Sequence, residues 1–487
     1  MAERDLIAGL RLLAQLQPAL ARHERARVAD IVGQLIAMRA PFGGQWRQVA
    51  QVAAEIGERR LSRQAIDLFA DAAGGTHAAQ YQKAALLAES GAVREAEALL
   101  RALPEDVPNP LANAYSRGIA ALNLGRPDEA RRYLEQVTRE QPRAGPAWLG
   151  LAMTVDFAHE PDLAARVVAA EAGMAGADPS HAAAYAYALG KVRADRGEHS
   201  QAFAAFARGA RQMKAVAGYD RAADAADAAE AVRDHDAARL AALAARQGEP
   251  TARTIFVNGL PRSGTTLVEQ ILTAHSAVGD GAEIEALPLL ASETGGRSHA
   301  ALARFVEAAG AEPAARLWHR WLDERFGERG RIVDKSVSTS RYLGLAAGLL
   351  PQAPLIWLTR DPLDRAWSCF RTNFLGGAQP WSYDLSDIAC HFRLEDRLLA
   401  QWSEMLGERL LVVPYEALTA EPEAWIRRIL AHCGLAEEPQ AFAPHENARA
   451  VATASMLQVR RPIDRAGIGA AEAYRAFLQP FIDAYYG

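Results

Sequence analysis

The sequence predicts two joined parts, an N-terminal all-α array of helical repeats and a C-terminal α/β domain with a parallel sheet. Up to about residue 245, the chain has almost no strand-like segment and repeats alanine at helical spacing. Beyond Pro250, short apolar runs alternate with helical patterns, which is typical of a parallel sheet covered by helices. Because a chain of 487 residues is too long for one core, we place the domains at residues 1–245 and 250–487.

The N-terminal half repeats itself. Gly91 and Gly125 are separated by an interval of about 34 residues, Ala96 and Ala130 have the same separation, and Ala164 lies one further interval on. A later unit has a longer spacing, and the units before about residue 80 are too irregular to count. This period, with small residues where paired helices cross, is the signature of tetratricopeptide repeats.

Such repeats build a concave surface suited to an extended chain. We therefore expect the array to hold a peptide or protein partner. The alternative is a plain scaffold or a dimer contact, because repeats specify a surface but not its ligand. The sequence is also compatible with a homodimer.

Composition narrows the class of protein. The net charge of −5 gives no basic signature for nucleic acid, and 50% hydrophobic with 23% charged residues is ordinary for a soluble globular protein. The three cysteines are too widely spaced for a metal motif or a disulfide framework, and the N-terminus predicts an amphipathic helix rather than a signal peptide. No run approaches the roughly 18 apolar residues of a membrane span. We expect a cytoplasmic protein without a metal site or a nucleic-acid partner.

Residues 254–272 follow the order strand, glycine loop, helix. In such a loop the backbone amides and the positive end of the helix dipole face an anion. Gly259 and Gly264 have the spacing of a Walker A loop, but Thr265 stands where the lysine would follow, and the positive charge lies earlier, at Arg262. A Walker-type enzyme needs that lysine on the β- and γ-phosphates. We therefore expect a P-loop-like site for a phosphate-bearing donor other than a nucleoside triphosphate.

The loop sequence Gly-Leu-Pro-Arg-Ser-Gly-Thr-Thr, residues 259–266, resembles the 5′-phosphosulfate loop of sulfotransferases. It is most similar to tyrosylprotein sulfotransferases and to bacterial proteins that join such a domain to tetratricopeptide repeats. The resemblance covers residues 252–487 and implies 3′-phosphoadenosine 5′-phosphosulfate (PAPS) as the donor and adenosine 3′,5′-bisphosphate (PAP) as the product. It implies donor contacts from these loop residues: Pro261, Arg262, Ser263, Gly264, Thr265 and Thr266.

Two further residues match catalytic positions of that family. Glu283, in the stretch that follows the first helix of the domain, occupies the place of the catalytic base. Lys335, at the end of a short predicted strand, occupies the place of the lysine that touches the sulfuryl group. Ala282 and Glu285 stand where the family has a glutamate and an arginine, and these two departures concern the choice of acceptor rather than the transfer chemistry. The alternative readings are an exposed loop carboxylate for Glu283 and a solvent-exposed lysine for Lys335.

The remaining matches concern the nucleotide. Arg360 and Ser368, eight residues apart, match the family's 3′-phosphate site, for which a planar guanidinium is well suited. A structural salt bridge is the alternative for Arg360. Tyr415, predicted at the end of a strand, matches a family tyrosine near the adenine. The alternative is a tyrosine that packs in the core without contacting a ligand. Ser455 and Arg460 lie in a stretch that resembles the loop closing over the nucleotide.

Together these matches imply an enzyme, a sulfotransferase that moves a sulfuryl group from PAPS to a hydroxyl. Glu283 would remove the acceptor proton, while Arg262, Lys335 and the loop amides stabilise the charge on the leaving phosphate. The acceptor stays open between peptide tyrosine, peptide serine, a saccharide and a small phenol. A peptide acceptor would make the reaction protein sulfation.

Two other functions stay open. One is a kinase-like NTP-dependent transferase with a degenerate loop, which the missing Walker lysine disfavours. The other is a non-catalytic repeat adaptor with a decayed transferase domain, which the complete set of site residues disfavours. A segment of about 235 residues can bury a core of its own, so we expect the C-terminal domain to fold without the repeats.

Overall fold

The computed structural model describes residues 2–281, 283–374, 377–447, 449 and 458–487. The N-terminal half is helical, and consecutive helices pack in pairs, most extensively α3 with α4, α7 with α8 and α11 with α12. The helices are α1 (Ala2–Ala21), α2 (Arg25–Ala37), α3 (Trp46–Glu55), α4 (Arg59–Ala72), α5 (His77–Glu89), α6 (Val93–Ala102), α7 (Pro110–Asn123), α8 (Pro127–Glu140), α9 (Gly145–Ala152), α10 (Pro161–Ala169), α11 (Pro179–Asp195), α12 (His199–Ala217), α13 (Arg221–Ala231) and α14 (Ala237–Ala244).

The turn inside several helix pairs is made by a glycine in the left-handed region. Gly91 (φ 86°), Gly125 (φ 72°) and Gly197 (φ 73°) each lie between the two helices of a pair. Gly57 (φ 79°) makes the same turn between α3 and α4, one repeat interval before Gly91. A side chain with a Cβ is strained in this conformation, so glycine recurs there. The glycine turn therefore extends the repeat spacing back to the irregular N-terminal units.

The C-terminal half is an α/β domain built on a five-stranded parallel sheet with the strand order β2-β3-β1-β4-β5. Its elements are β1 (Thr254–Asn258), α15 (Thr265–Thr273), β2 (Val278–Asp280), α16 (Leu287–Glu293), α17 (His299–Ala309), α18 (Glu312–Phe326), β3 (Arg331–Asp334), α19 (Leu343–Leu349), β4 (Leu355–Thr359), α20 (Pro362–Phe370), α21 (Leu385–Leu406), β5 (Leu410–Pro414), α22 (Tyr415–Ala420), α23 (Pro422–His432) and α24 (Gln479–Tyr486).

The central strand explains where the site lies. Every residue of β1 is buried, as its β-branched and aromatic sequence predicts, and β1 pairs with β3 on one side and β4 on the other. All five strands run the same way, so their carboxyl ends share one edge of the sheet. The glycine loop, Glu283, Lys335 and Arg360 follow β1, β2, β3 and β4 respectively. Parallel sheets of this kind bind ligands at that edge.

The two halves of the chain share hydrophobic cores. Phe206 of α12 packs in one cluster with Trp367 and Phe370 of α20. Leu240 and Leu243 of α14 belong to the cluster that lies under α19 and α21. The domain boundary near residues 245–250 stays a prediction, but buried contacts cross it. The expectation that the C-terminal domain folds without the repeats is untested, and the shared cores lead us to expect the opposite.

Two features of the described residues bear on membranes and metals. No helix within the described ranges combines the length and the apolar character needed to cross a bilayer. The same residues contain no group of three or more His, Cys, Asp or Glu side chains arranged to hold a metal ion. Cys369, Cys390 and Cys433 are free thiols.

Candidate functional site

The glycine loop, residues 259–264, has a strained backbone pressed against its neighbours. Gly259 (φ 145°), Arg262 (φ 69°) and Gly264 (φ 102°) have positive φ. A Cβ on Gly264 would lie 2.6 Å from Cδ2 of Tyr415, so only glycine allows this close approach. Arg262 is a non-glycine residue in the left-handed region, a conformation that concentrates at ligand-binding sites.

The loop presents polar groups that fit an anion. Ser263 is fully buried, and its Oγ has no hydrogen-bond partner among the described residues. α15 begins at Thr265 directly after the loop, and the first amides of a helix have no acceptor inside the helix. Thr266, in the same first turn, is buried. An orphaned buried hydroxyl beside a helix N-terminus therefore fits the predicted phosphate site.

Two arginines, Arg262 and Arg360, contact each other at this loop. Nε of Arg262 donates to Oγ of Ser368 at 2.9 Å, and Nη1 of Arg360 donates to the carbonyl of Arg262 at 2.9 Å. The guanidinium of Arg360 lies 4.7 Å from the centre of the Tyr415 ring. Burial, together with the charges of Arg371 and Arg360, lowers the pKa of Arg262 to about 10. Cations that repel one another in a buried place favour the binding of an anion.

The residues predicted for the 3′-phosphate therefore lie together. Arg360 directly follows β4, and Ser368 lies on α20, which begins with the side chain of Asp361 accepting from the amide of Asp364. Within the described part of the chain, the hydrogen bonds of Arg360 go to the backbone carbonyls of Arg262 and Gly467. These contacts differ from the salt bridge that is the alternative for Arg360.

The predicted base and the predicted lysine form an ion pair. Nζ of Lys335 donates to Oε1 of Glu283 at 2.9 Å. The side chain of Lys335 is 5% exposed and that of Glu283 is 44% exposed, so the alternative of a solvent-exposed Lys335 is wrong. Burial acts to lower the pKa of Lys335, but the negative charges of Glu269 and Glu283 outweigh it and raise the pKa above its ordinary value. Lys335 is therefore a buried ammonium held beside an accessible carboxylate.

Asp334, the last residue of β3, fixes the loop that carries Glu283. Its carboxylate accepts from the amide of Ser336 at 3.0 Å and from the amide of Ile284 at 3.3 Å. Oγ of Ser336 in turn accepts from the amide of Glu285 at 2.8 Å. Burial raises the pKa of Asp334 to about 6. These bonds tie the segment around Glu283 to the strand end that carries Lys335.

The other predicted nucleotide residues have different outcomes. Tyr415 is the first residue of α22 rather than part of the preceding strand, and its ring covers Gly264. Ser455 lies outside the described residues. Arg460 donates from Nη2 to the carbonyl of Arg449 at 3.0 Å, and its guanidinium lies over the glycine turn at Gly125. In the described part of the chain, these contacts of Arg460 join the late loop to the repeats.

Sequence reasoning missed a buried charged group behind the loop. Glu269 in the second turn of α15 is fully buried, with Nη2 of Arg449 2.6 Å from Oε2. Nη1 of Arg449 lies 2.8 Å from Oδ2 of Asp280 at the end of β2. Nothing local marks this pairing, because Glu269 and Arg449 are 180 residues apart.

One signal in the sequence does single out Lys335. Of the 54 lysine and arginine residues, four are lysines, at 83, 191, 214 and 335. Lys335 is therefore the only lysine in the C-terminal half, where every other cationic side chain of this type is an arginine. A position that keeps a compact ammonium in such a background is a candidate for specific chemistry.

Comparison with known families gives the class of the C-terminal domain. Residues 254–439 match the family model described as Sulfotransferase family. The match begins with β1 and includes the glycine loop, Glu283, Lys335, Arg360 and Tyr415. The C-terminal half of the chain therefore contains a sulfotransferase family domain.

Individual relatives cover parts of the chain. An uncharacterized protein of Aquifex aeolicus (strain VF5) is 31% identical over 258 residues, which are 49% of this chain and 33% of the relative. Protein-tyrosine sulfotransferase 1 of Danio rerio is 28% identical over 187 residues, 36% of this chain and 51% of the relative. The chain thus spans between a third and about half of the length of these two relatives.

Two solved structures match parts of the chain at low identity. The sulfotransferase domain of the Synechococcus PCC 7002 olefin synthase is 22% identical, with a TM-score of 0.33, over 47% of this chain and 97% of that chain. MamA 41-end from Desulfovibrio magneticus RS-1 is 19% identical, with a TM-score of 0.28, over 35% of this chain and 94% of that chain.

Proposed function

We propose that the protein is a PAPS-dependent sulfotransferase that transfers a sulfuryl group to an acceptor hydroxyl and releases PAP. The observation that carries the proposal is the meeting of two features at one edge of the sheet. One is the anion cradle formed by the glycine loop with Arg262 and Arg360, and the other is the Lys335–Glu283 pair. The sulfotransferase family match over residues 254–439 supports it.

The residues present fit the donor. The loop amides, the buried Ser263 hydroxyl and the first turn of α15 would hold the 5′-phosphosulfate. Arg360 and Ser368 would hold the 3′-phosphate, and the ring of Tyr415 would lie near the nucleotide. PAPS supplies a sulfuryl group on a phosphate leaving group, so the reaction needs no oxidant or reductant.

The transfer would proceed in one displacement. The Glu283 carboxylate takes the proton of the acceptor hydroxyl as the acceptor oxygen bonds to sulfur. The bond from sulfur to the bridging oxygen breaks, and its electron pair stays on the 5′-phosphate of PAP. Lys335, Arg262 and the loop amides stabilise that charge. A free glutamate, with a pKa of about 4.3, is a weak base for a phenol of pKa about 10, so the proton moves late, as the new bond forms.

For the acceptor, we propose a peptide or protein side chain held by the repeats. The name of the Danio rerio relative, a protein-tyrosine sulfotransferase, supports a protein acceptor. The glycine turn at Gly125 lies against Arg460, a proposed nucleotide-binding residue, and this contact supports a place for the repeats near the donor. Glu285 stands where the resemblance leads us to expect an arginine, and it can change which acceptors are preferred. A cytoplasmic location without a nucleic-acid partner belongs to the same proposal.

The test separates this function from its rivals. PAP at about 100 times its dissociation constant should add about 2.7 kcal/mol of stability, seen as a rise in Tm. ATP with Mg²⁺ is the matched comparison, since the kinase-like alternative requires a larger rise with ATP. Labelled PAPS with cell extract, followed by mass identification of the labelled species, then identifies the acceptor. A rise with PAP but no transfer to any extract would favour the non-catalytic adaptor.

A further inference from the structure

A short stretch near the C-terminus, residues 458–460, packs into the repeat array. Val459 is buried and belongs to a hydrophobic cluster whose other buried members all come from residues 114–205 of the repeats. The cluster includes Leu122 of α7 and Leu134 of α8. The repeats around the pair α7 and α8 therefore share their core with a residue from the far end of the chain.

The next residue, Arg460, lies against the glycine turn between α7 and α8. Gly125 in that turn has a φ of 72°, and a Cβ added to it would collide with Cζ, Nε and Nη2 of Arg460. The guanidinium therefore packs directly on the backbone of the turn. The glycine turn between α11 and α12 differs, because Gly197 has a φ of 73° and a Cβ added there would meet no heavy atom within 4 Å. Contact with Arg460 is thus a feature of the α7–α8 turn and not of every glycine turn in the array.

Arg460 also links the repeats to the helix that follows the glycine loop. Its Nη2 donates to the carbonyl of Arg449 at 3.0 Å. The side chain of Arg449 in turn pairs with Glu269 of α15 at 2.6 Å and with Asp280 at the end of β2 at 2.8 Å. Because α15 begins directly after the glycine loop, a continuous series of contacts runs from the Gly125 turn to the candidate phosphate site.

The guanidinium of Arg460 has unused hydrogen-bonding capacity. Its Nε is buried and has no hydrogen-bond partner among the described residues. Within the same ranges Arg460 forms no ion pair with a carboxylate, whereas Arg449 beside it forms two. A partly buried cation without a counter-ion is unfavourable, so this position favours the binding of an anion. A phosphate group fits, because the planar guanidinium can donate two parallel hydrogen bonds to it.

We propose that the α7–α8 turn positions Arg460 for an anionic group of the donor, so that the repeat array forms part of the donor site. Arg460 is the binding residue, and Gly125 and Val459 are positioning residues that act through it. The assignment rests on the proposed sulfotransferase function. It gives the repeats a role in donor binding that is separate from any role in acceptor binding.

Two glycine substitutions in the full-length protein separate this contact from the strain of the turn. Gly125→Ala and Gly197→Ala place a Cβ at φ values of 72° and 73°, so both incur the same backbone strain. Only Gly125→Ala pushes the guanidinium of Arg460 away from the turn. In calorimetric titrations, the Kd for PAP should rise by about 10-fold in Gly125→Ala, the lower end of the range for a hydrogen bond to a charged group. In Gly197→Ala the Kd should equal that of the parent.

A double-mutant cycle tests whether the turn acts through Arg460. Arg460→Ala alone should raise the Kd for PAP by about 10- to 100-fold. Gly125→Ala added to Arg460→Ala should raise the Kd no further, because the guanidinium that the turn positions is already absent. With PAPS as the donor, Gly125→Ala should raise the KM for PAPS and leave kcat unchanged, since the lost contact is equal in the ground and transition states.

Val459 provides a second route if Gly125→Ala does not fold. Val459→Ala shortens the side chain that anchors residues 458–460 in the repeats and adds no atom, so it should raise the Kd for PAP severalfold. Val167→Ala, on α10 in the same cluster, removes the same atoms from the core of the repeats. It is the matched control, and its Kd should equal that of the parent.

Two results would overturn the inference and leave the proposed function intact. One is a Kd for PAP that equals the parent's in Gly125→Ala, or in Val459→Ala if the glycine variant does not fold. The other is a Gly125→Ala that weakens PAP binding equally with and without Arg460, because the turn would then act by another route. A parent that binds no PAP would contradict the proposed function itself, and with it the donor role of the turn.

Discussion

At the scale of single residues, the proposed donor and acceptor would contact different side chains, so their contributions should be separable. The side chain of Glu283 is 44% exposed, whereas Arg360 and Ser368 form hydrogen bonds with Arg262 of the glycine loop. A change that affects only one of these groups should therefore affect only one step. Two substitutions use this separation.

The first substitution removes the proposed base. Glu283→Gln keeps the size of the side chain and its hydrogen-bonding capacity but cannot accept the acceptor proton. Turnover should fall by about 10²–10⁴-fold, the usual contribution of a general base, while the rise in Tm with PAP is retained. Glu285→Gln, two residues away on the same loop, is the control and should stay within a few-fold of the parent. Turnover of Glu283→Gln near the parent's would place the base elsewhere.

The second substitution concerns the 3′-phosphate. Arg360→Ala should weaken PAP binding by about 1.5–3 kcal/mol, the range for a hydrogen bond to a charged group. ATP lacks that phosphate, so its weaker binding should barely change, and calorimetric titration of both nucleotides measures the difference. Arg475→Ala, on an exposed arginine, controls for the loss of a positive charge. Equal losses for PAP and ATP would mean that Arg360 only supports the loop through its bond to the Arg262 carbonyl.

At the scale of elements, the carboxyl ends of the parallel strands carry the residues of the candidate site. The end of β3 shows this most clearly, since Asp334 bonds both to Ser336 and to the segment that carries Glu283. Asp334 is fully buried, and its pKa is raised to about 6. The raised pKa makes this strand end sensitive to pH.

We expect Asp334→Asn to change how stability depends on pH. The folded pKa of Asp334, about 6, lies above its ordinary value, so the folded state binds this proton more tightly than the unfolded state does. The contribution of Asp334 to the free energy of unfolding is therefore fully present below the ordinary pKa of about 3.9. It is lost as the pH rises towards 6. Relative to the parent, Asp334→Asn should gain stability between pH 4 and pH 7, seen in Tm measured across that range. A constant difference in Tm over the range would contradict this.

Local pattern explains which elements were predictable. In residues 254–272, the apolar run, the two glycines and the helical spacing that follows predict a strand, a glycine loop and a helix. The structure has these three elements in that order. The pairing of Glu269 with Arg449 was not predictable, because it joins residues 180 positions apart and leaves no periodic signal. Tyr415 was predicted in the strand but is the first residue of α22. β5 ends at Pro414, directly before it, and no residue between the two elements marks the change.

At the scale of the whole molecule, the repeats and the α/β domain form joint cores. The ring of Phe203 in α12 stacks on Phe477, Phe370 and Trp367 at centroid distances of 4.9, 5.5 and 6.2 Å. Buried ion pairs also cross between the halves, since Arg341 pairs with Asp224 of α13 at 2.9 Å. The sequence of an amphipathic helix shows that one face is buried but not which element covers it. The length of the C-terminal segment was therefore the only basis for expecting a separable domain.

The shared cores predict which fragment of the chain binds nucleotide. A fragment of residues 250–487 lacks Phe203 and Phe206, which pack on Trp367 and Phe370. It also lacks α14, which packs on α19. Exposure of several large apolar side chains, at about 1.5–3 kcal/mol each, amounts to a large part of the stability of a typical domain. We expect this fragment to be aggregated or unable to bind PAP.

A fragment of residues 198–487 is the matched comparison, because it keeps α12, α13 and α14 on the α/β domain. It should bind PAP, measured by calorimetry. If the earlier repeats hold the acceptor, the same fragment should show a raised KM for the native acceptor with kcat unchanged, because binding energy that is equal in the ground and transition states appears in KM. An unchanged KM would mean that the repeats before residue 198 do not bind the acceptor. Full PAP binding by residues 250–487 would show that the shared cores are dispensable for the site.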